Sequence, residues 1–163
     1  MSDEIRLRRP VEADHPRLVD QVDEWWGGRR LHPLFLRMWF RHFTGTSWVA
    51  EAPDGRLVGF LVGFISPDHP DQAYIHMVAT SPNHRRAGLG RTLYERFFED
   101  ARARGVRQVT AITWPGNRIS VGFHRALGFT PADGPGTQNL YGTPAYPDYD
   151  ADREDRVVFT LDL

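Results

Sequence analysis

Apolar positions along the chain change period several times, and the changes mark out its elements. Ile5-Arg6-Leu7-Arg8 alternates as a short strand that Pro10 stops. From Asp14 to about Trp26, Leu18, Val22 and Trp25/Trp26 recur at helical spacing, with Asp14 as a candidate N-cap and Gly27-Gly28 as the terminator. A second helical stretch, about Pro33 to Phe43, carries an aromatic stripe of Leu36, Trp39/Phe40 and Phe43 that reads first as core. Ser47–Glu51 and Arg56–Ile65 are β-rich runs joined by the turn Ala52-Pro53-Asp54-Gly55, and Ala73–Thr80 is the next strand. Leu89, Leu93, Phe97 and Ala101 mark one face of a helix running to Arg104 and closed by Gly105. Arg107–Thr113 is β-like, Trp114-Pro115-Gly116 breaks it, and Asn117–Leu127 is an amphipathic helix ended by Gly128. Residues 130–154 are rich in Pro, Gly, Asp and Tyr and predict a long irregular arm before a last strand, Arg156–Leu161. The order β-α-α-β-β-β-α-β-α-β is that of an α/β domain with a mixed sheet, one domain over residues 1–163.

Composition narrows the class. A formal net charge of −1 gives no broad field to recruit nucleic acid or a membrane surface. No stretch approaches the roughly 20 apolar residues of a membrane span, and Met1-Ser2-Asp3-Glu4 has no charged-then-apolar leader, which predicts a cytoplasmic protein. With no cysteine, disulfides, thiolate metal sites and a cysteinyl acyl-enzyme are all excluded, and the seven histidines show no metal-ligand spacing. All 20 basic residues are arginine. Together with abundant Asp, Ala, Gly and Pro, that suggests a GC-rich, bacterial coding genome.

The chemistry concentrates where the strand Ala73–Thr80 runs through Ser81-Pro82-Asn83-His84 into Arg85-Arg86-Ala87-Gly88-Leu89-Gly90 and a helix. A small-residue turn opening a helix leaves backbone N–H groups unpaired, with the positive end of the helix dipole behind them, and so makes an anion cradle. A triphosphate loop needs a lysine, and this chain has none; a dinucleotide fingerprint needs a third glycine where Leu93 stands. What fits is an R-x-x-G-x-G pyrophosphate loop made by Arg85, Gly88 and Gly90. Downstream, Asn117-Arg118-Ile119-Ser120-Val121-Gly122-Phe123-His124-Arg125-Ala126-Leu127-Gly128-Phe129 matches an N-x-x-[AS]-x-x-F-Y-x-x-x-G-F pattern except at His124. In order and spacing the two motifs resemble those of the GNAT superfamily of acyl-CoA-dependent N-acetyltransferases, well over residues 47–130 and loosely on the flanks.

The resemblance implies a mostly antiparallel sheet with two central parallel strands that splay apart to admit the pantetheine arm of acetyl-CoA. Val78, Ala79 and Thr80 would contact that arm through their main chain. Arg85, Arg86, Ala87, Gly88, Leu89, Gly90 and Arg91 would hold the pyrophosphate, and Asn117 the pantetheine side. It further implies direct attack of an acceptor amine on the thioester, without an acyl-enzyme and without a metal. At His124 the superfamily usually places a tyrosine that protonates the departing thiolate; an imidazole could do so if its surroundings favour the charged form. Tyr141, Tyr146 and Tyr149 are alternative acids. No carboxylate lies between Asp71 and Glu95, so His76, which strict alternation puts on the same face as Tyr74 and Val78, is the candidate base. Tyr74, Trp25 and Trp26 are candidate acceptor contacts, and the acids at 148, 150, 152, 154 and 155 could attract an ammonium group. The identity of the acceptor, a small molecule or a peptide amine, stays open. Two other readings remain: a CoA-binding sensor without catalysis, and an interaction module, homodimeric through residues 33–43.

Overall fold

The computed structural model describes residues 4–163, so most of the N-terminal Met1-Ser2-Asp3-Glu4 reading lies outside the described residues. Its strands are β1 (Arg6–Arg8), β2 (Trp48–Glu51), β3 (Leu57–Ile65), β4 (Gln72–Thr80), β5 (Gln108–Thr113), β6 (Thr130–Pro131), β7 (Gln138–Leu140), β8 (Thr143–Ala145) and β9 (Val157–Asp162). Its helices are α1 (Asp14–Val19), α2 (Val22–Trp25), α3 (Trp39–His42), α4 (Leu89–Ala103) and α5 (Arg118–Leu127). Seven strands build one mixed sheet in the order β1-β2-β3-β4-β5-β9-β6, antiparallel throughout except where β4 meets β5.

The sheet is covered on both faces, and the sequence of β3 shows why: Leu57 through Val62 are all buried, with no polar alternation. On one face α4 lays Leu89, Leu93, Phe97 and Ala101 against Val58, Leu61, Ile75 and Ala111, with α5 alongside through Val121. On the other, Leu18, Val22, Trp25, Phe35, Trp39 and Phe40 cover Val49, Phe60, Val62 and Met77. Burial at roughly 25 cal/mol per Å² of apolar surface makes these two layers the main stabilising term. No helix among the described residues is long and apolar enough to cross a membrane.

Three elements differ from their sequence pattern. The helix expected from Asp14 to Trp26 is interrupted at Asp20-Gln21 and becomes α1 and α2, which still lay Leu18, Val22 and Trp25 together in the core with Phe60. The expected helix 33–43 is a 3₁₀ turn, His32–Leu34, followed by the single turn of α3; Phe35, Trp39 and Phe40 are buried, while Leu36 is half exposed and off the core stripe. Asp14 caps no helix. Its buried carboxylate receives Arg8 at 2.8 and 2.9 Å and the Val11 N–H at 2.8 Å, tying β1 to α1. The irregular arm contains more order than its composition suggests. β6 joins the sheet through β9, β7 and β8 form a hairpin, and Tyr146 bridges to Arg156.

Candidate active site

The central parallel pair is short. Gln72–Ile75 pair with Gln108–Ala111, and beyond Ile75 and Ala111 the two strands part. β4 continues to Thr80 on β3, and β5 continues to Thr113 on β9, so a gap opens between them. The register of β3 against β4 then fixes what faces the gap. Ser81 N–H bonds the Val58 carbonyl, so by antiparallel alternation Ala79 also turns toward β3, while the main-chain groups of Val78 and Thr80 turn the other way, into the opening. That edge has the form needed to pair with an extended amide-bearing chain.

A β-bulge sits where the gap begins. Val62 faces Met77 and Gly63 faces Ile75, leaving His76 as the extra residue. The bulge overturns the simple alternation expected for this strand. Ile75 and Val78 both lie on the α4 face, whereas Tyr74, His76 and Met77 share the opposite face. His76 is therefore the first residue past the last β4–β5 pair and stands apart from Val78. Its ring stacks on Trp39, centroids 4.4 Å apart and planes within 14°. Nε2 lies 3.1 Å from the Leu34 carbonyl, which can only accept, so the proton is on Nε2 and Nδ1 is left with a free lone pair. Burial pushes the His76 pKa below the ordinary histidine value, and the Leu34 contact offsets this only in part. A neutral imidazole with an open lone pair can accept a proton near pH 7.

At the far end of β4, residues 82–87 form a 3₁₀ turn that ends on Gly88, in the left-handed region at φ 78°. Nothing lies within 4 Å of where a Gly88 side chain would point, so glycine is required there by the backbone angle rather than by space. The first intrahelical bond of α4 is Thr92 N–H to the Gly88 carbonyl, at 3.0 Å. Leu89, Gly90 and Arg91 therefore present N–H groups without helical acceptors, as the cradle reading requires. Arg85 donates to the Trp25 carbonyl, which links the loop to the end of α2. Arg91 reaches the Ala126 carbonyl at 3.3 Å, across to α5.

The other expected site residues divide by burial. His124 is 6% exposed, stacked on Phe159 at 4.6 Å. Its Nδ1–H donates to the Ser120 carbonyl at 2.8 Å, and its Nε2 receives the Tyr94 hydroxyl at 2.9 Å. Both nitrogens are engaged and burial lowers the pKa, the reverse of what a proton donor expected in charged form requires. Trp25 is 5% exposed and packs toward Phe60, so it belongs to the core and offers no face to an acceptor. Trp26 is only partly buried and donates its indole N–H to the Val78 carbonyl at 3.1 Å. Tyr74 lies beside the arm: burial, with Tyr149 and Asp150 nearby, pushes its pKa up to about 12 against the opposing effect of Arg156. Asn117 caps α5 through Ser120 N–H at 3.1 Å. Within the arm, Asp150 and Glu154 each bond Arg156 at 2.8 Å, and Asp148 and Asp155 accept main-chain N–H groups, so much of that acidity is spent on folding the arm itself. Trp39 and Leu34, which orient His76, and Tyr94, which holds His124, carry no sequence signal of those roles.

Among known proteins, the chain is similar to the L-2,4-diaminobutyric acid acetyltransferase of Nocardia farcinica, 32% identical over 111 residues, which is 68% of this chain and 57% of that protein. The chain thus matches little more than half the length of that relative. The corresponding enzyme of Streptomyces coelicolor is 32% identical over 117 residues, 68% of this chain and 69% of the relative. In fold it resembles the diaminobutyrate acetyltransferase of Paenibacillus lautus solved with L-2,4-diaminobutyric acid and coenzyme A, with a TM-score of 0.72 at 22% identity over 99% of this chain and 96% of that one. The splayed parallel pair, the cradle at the start of α4 and a match of residues 7–129 to the acetyltransferase (GNAT) family model lead to one assignment: the chain belongs to the GNAT acetyltransferase family.

Proposed function

We propose that the protein transfers an acetyl group from acetyl-CoA to a primary amine of a small amino acid of the diaminobutyrate type. The observation that carries this is the gap beyond Ile75 and Ala111, which adjoins both the helix-start cradle and a histidine with an open lone pair. Similarity to diaminobutyrate acetyltransferases over two thirds of the chain supports the acceptor class. The cofactor supplies an activated acyl carbonyl. The protein's part is to bind and orient: the N–H groups of Leu89, Gly90 and Arg91 receive the pyrophosphate, and the free edge of β4 at Val78 and Thr80 receives the amide arm.

On this reading the acceptor approaches from the α1–α3 face, between His76 and Tyr74. His76 Nδ1 takes the proton that the ammonium must lose before its nitrogen can attack the carbonyl carbon. The C–S bond then breaks, and the thiolate takes a proton from solvent or from a tyrosine of the arm. His124, buried and doubly bonded, serves the packing of α5 on β9. Holding two reactants in line can supply about 7–11 kcal/mol of rate enhancement, against a factor of about 10²–10⁴ for proton transfer, so geometry is the larger contribution.

An amine panel tests the proposal: 2,4-diaminobutyrate, ornithine, lysine, a polyamine and a peptide with a free N-terminus, with thiol detection of released CoA. The highest kcat/KM is expected for 2,4-diaminobutyrate. CoA release at the buffer rate with every amine, despite measurable acetyl-CoA binding, would replace the enzyme by a CoA-binding sensor.

A further inference from the structure

The segment Trp25–Arg29 crosses the mouth of the gap and is fastened on both sides. Toward β4, the Trp26 indole N–H bonds the Val78 carbonyl at 3.1 Å. Toward β5, the Arg29 guanidinium lies 5.5 Å over the ring of Trp114, the residue that follows the strand. At the cradle, Arg85 donates to the Trp25 carbonyl. Between the fastened residues stand Gly27 and Gly28, at φ 70° and 82°, with nothing within 4 Å of either Cα's missing side chain. The two left-handed glycines close α2, their N–H groups donating to the Glu24 and Asp23 carbonyls at 3.1 and 2.8 Å, and no side chain packs on the turn they form.

We infer that this segment is a self-occupying strap: Trp26 holds the Val78 carbonyl that the pantetheine amide must take, and the cofactor displaces it on entry. The inference rests on the function proposed above, since it needs acetyl-CoA in the gap. The same exchange reaches the cradle. Arg85 holds the strap by its guanidinium, and a pyrophosphate arriving at Gly88–Arg91 offers that cation a stronger, charged partner than the Trp25 carbonyl. Anion capture at the cradle thus frees the Trp25 carbonyl from Arg85, while the Trp26–Val78 bond is left for the pantetheine arm to displace. In the closed form the strap shields the free edge of β4, where unpaired main-chain groups would otherwise invite another strand.

The test is isothermal calorimetry with Trp26→Phe, which keeps the ring packed near Phe60 (6.1 Å between centroids) and removes only the N–H. Acetyl-CoA should bind this variant about two- to tenfold more tightly than it binds the unaltered chain, the range a single net hydrogen bond provides. 3′-Phosphoadenosine 5′-diphosphate, which brings a pyrophosphate to the cradle but has no pantetheine arm, should bind both proteins alike. Unchanged or weaker acetyl-CoA affinity in Trp26→Phe, or an equal gain for the armless nucleotide, overturns the strap. Failure of the underlying reading looks different: the unaltered chain would then show no acetyl-CoA binding at all.

Discussion

At the scale of the residue, the two histidines of the site separate by what their nitrogens touch. His76 keeps Nδ1 free beside the gap, whereas both nitrogens of His124 are committed inside the core. Both pKa values are depressed by burial, so each ring is neutral at pH 7 and gains its proton only below the ordinary value of about 6.5. For a base the neutral form is the active one, so kcat/KM should rise with pH along a limb centred below 6.5. His76→Gln should erase that limb and lower kcat by a factor of about 10²–10⁴. His124→Phe should keep the limb and change kcat less than tenfold, while leaving the buried Tyr94 hydroxyl unpaired at a cost of about 1–3 kcal/mol in urea unfolding. A limb that survives in His76→Gln, or disappears in His124→Phe, would reverse the two assignments.

At the scale of the element, the turn into α4 is where sequence and site coincide most closely. Gly88→Asp places a carboxylate at the cradle and a β-carbon on a left-handed backbone, and should weaken acetyl-CoA binding by tenfold or more. Calorimetry showing unaltered affinity would remove the cradle from the mechanism. The turn was legible because a left-handed glycine between a strand and a helix follows from a local pattern of small residues that five or six letters can spell. Strands β4 and β5 and helices α4 and α5 were legible for a related reason, since each buries a regular stripe that a period reveals, and β2 and β3 were legible as apolar runs bounded by turn residues. Residues 14–43 obey no single period. There the partner surface decides, and Phe35, Trp39 and Phe40 are aimed by Phe60 and its neighbours rather than by helical spacing. The bulge at His76 was hidden for a similar reason. It exists only as a mismatch between two strands, so no reading of β4 alone could show that His76 and Val78 part company.

At the scale of the whole molecule, the topology sets where the protein is weakest. β3 stays paired with β4 along nearly its whole length, with one bulge at His76, and β5 does so with β9, yet β4 meets β5 only over Gln72–Ile75. The sheet is in effect two plates riveted along a short seam, one carrying β1 to β4 and the other β5, β9 and β6. A ligand laid in the opening would act as a zipper, continuing the seam by bonding to main-chain groups that no strand reaches. Acetyl-CoA at a hundredfold excess over its Kd should add about 2.7 kcal/mol of stability, raising Tm by roughly 5–10 °C. Amide exchange should slow most at Val78 and Thr80, and uniform slowing along the sheet would count against a seam. Without ligand the two plates should breathe against each other about Ile75 and Ala111. On the proposed function, the joint that admits the substrate is the same joint at which the sheet would first come apart.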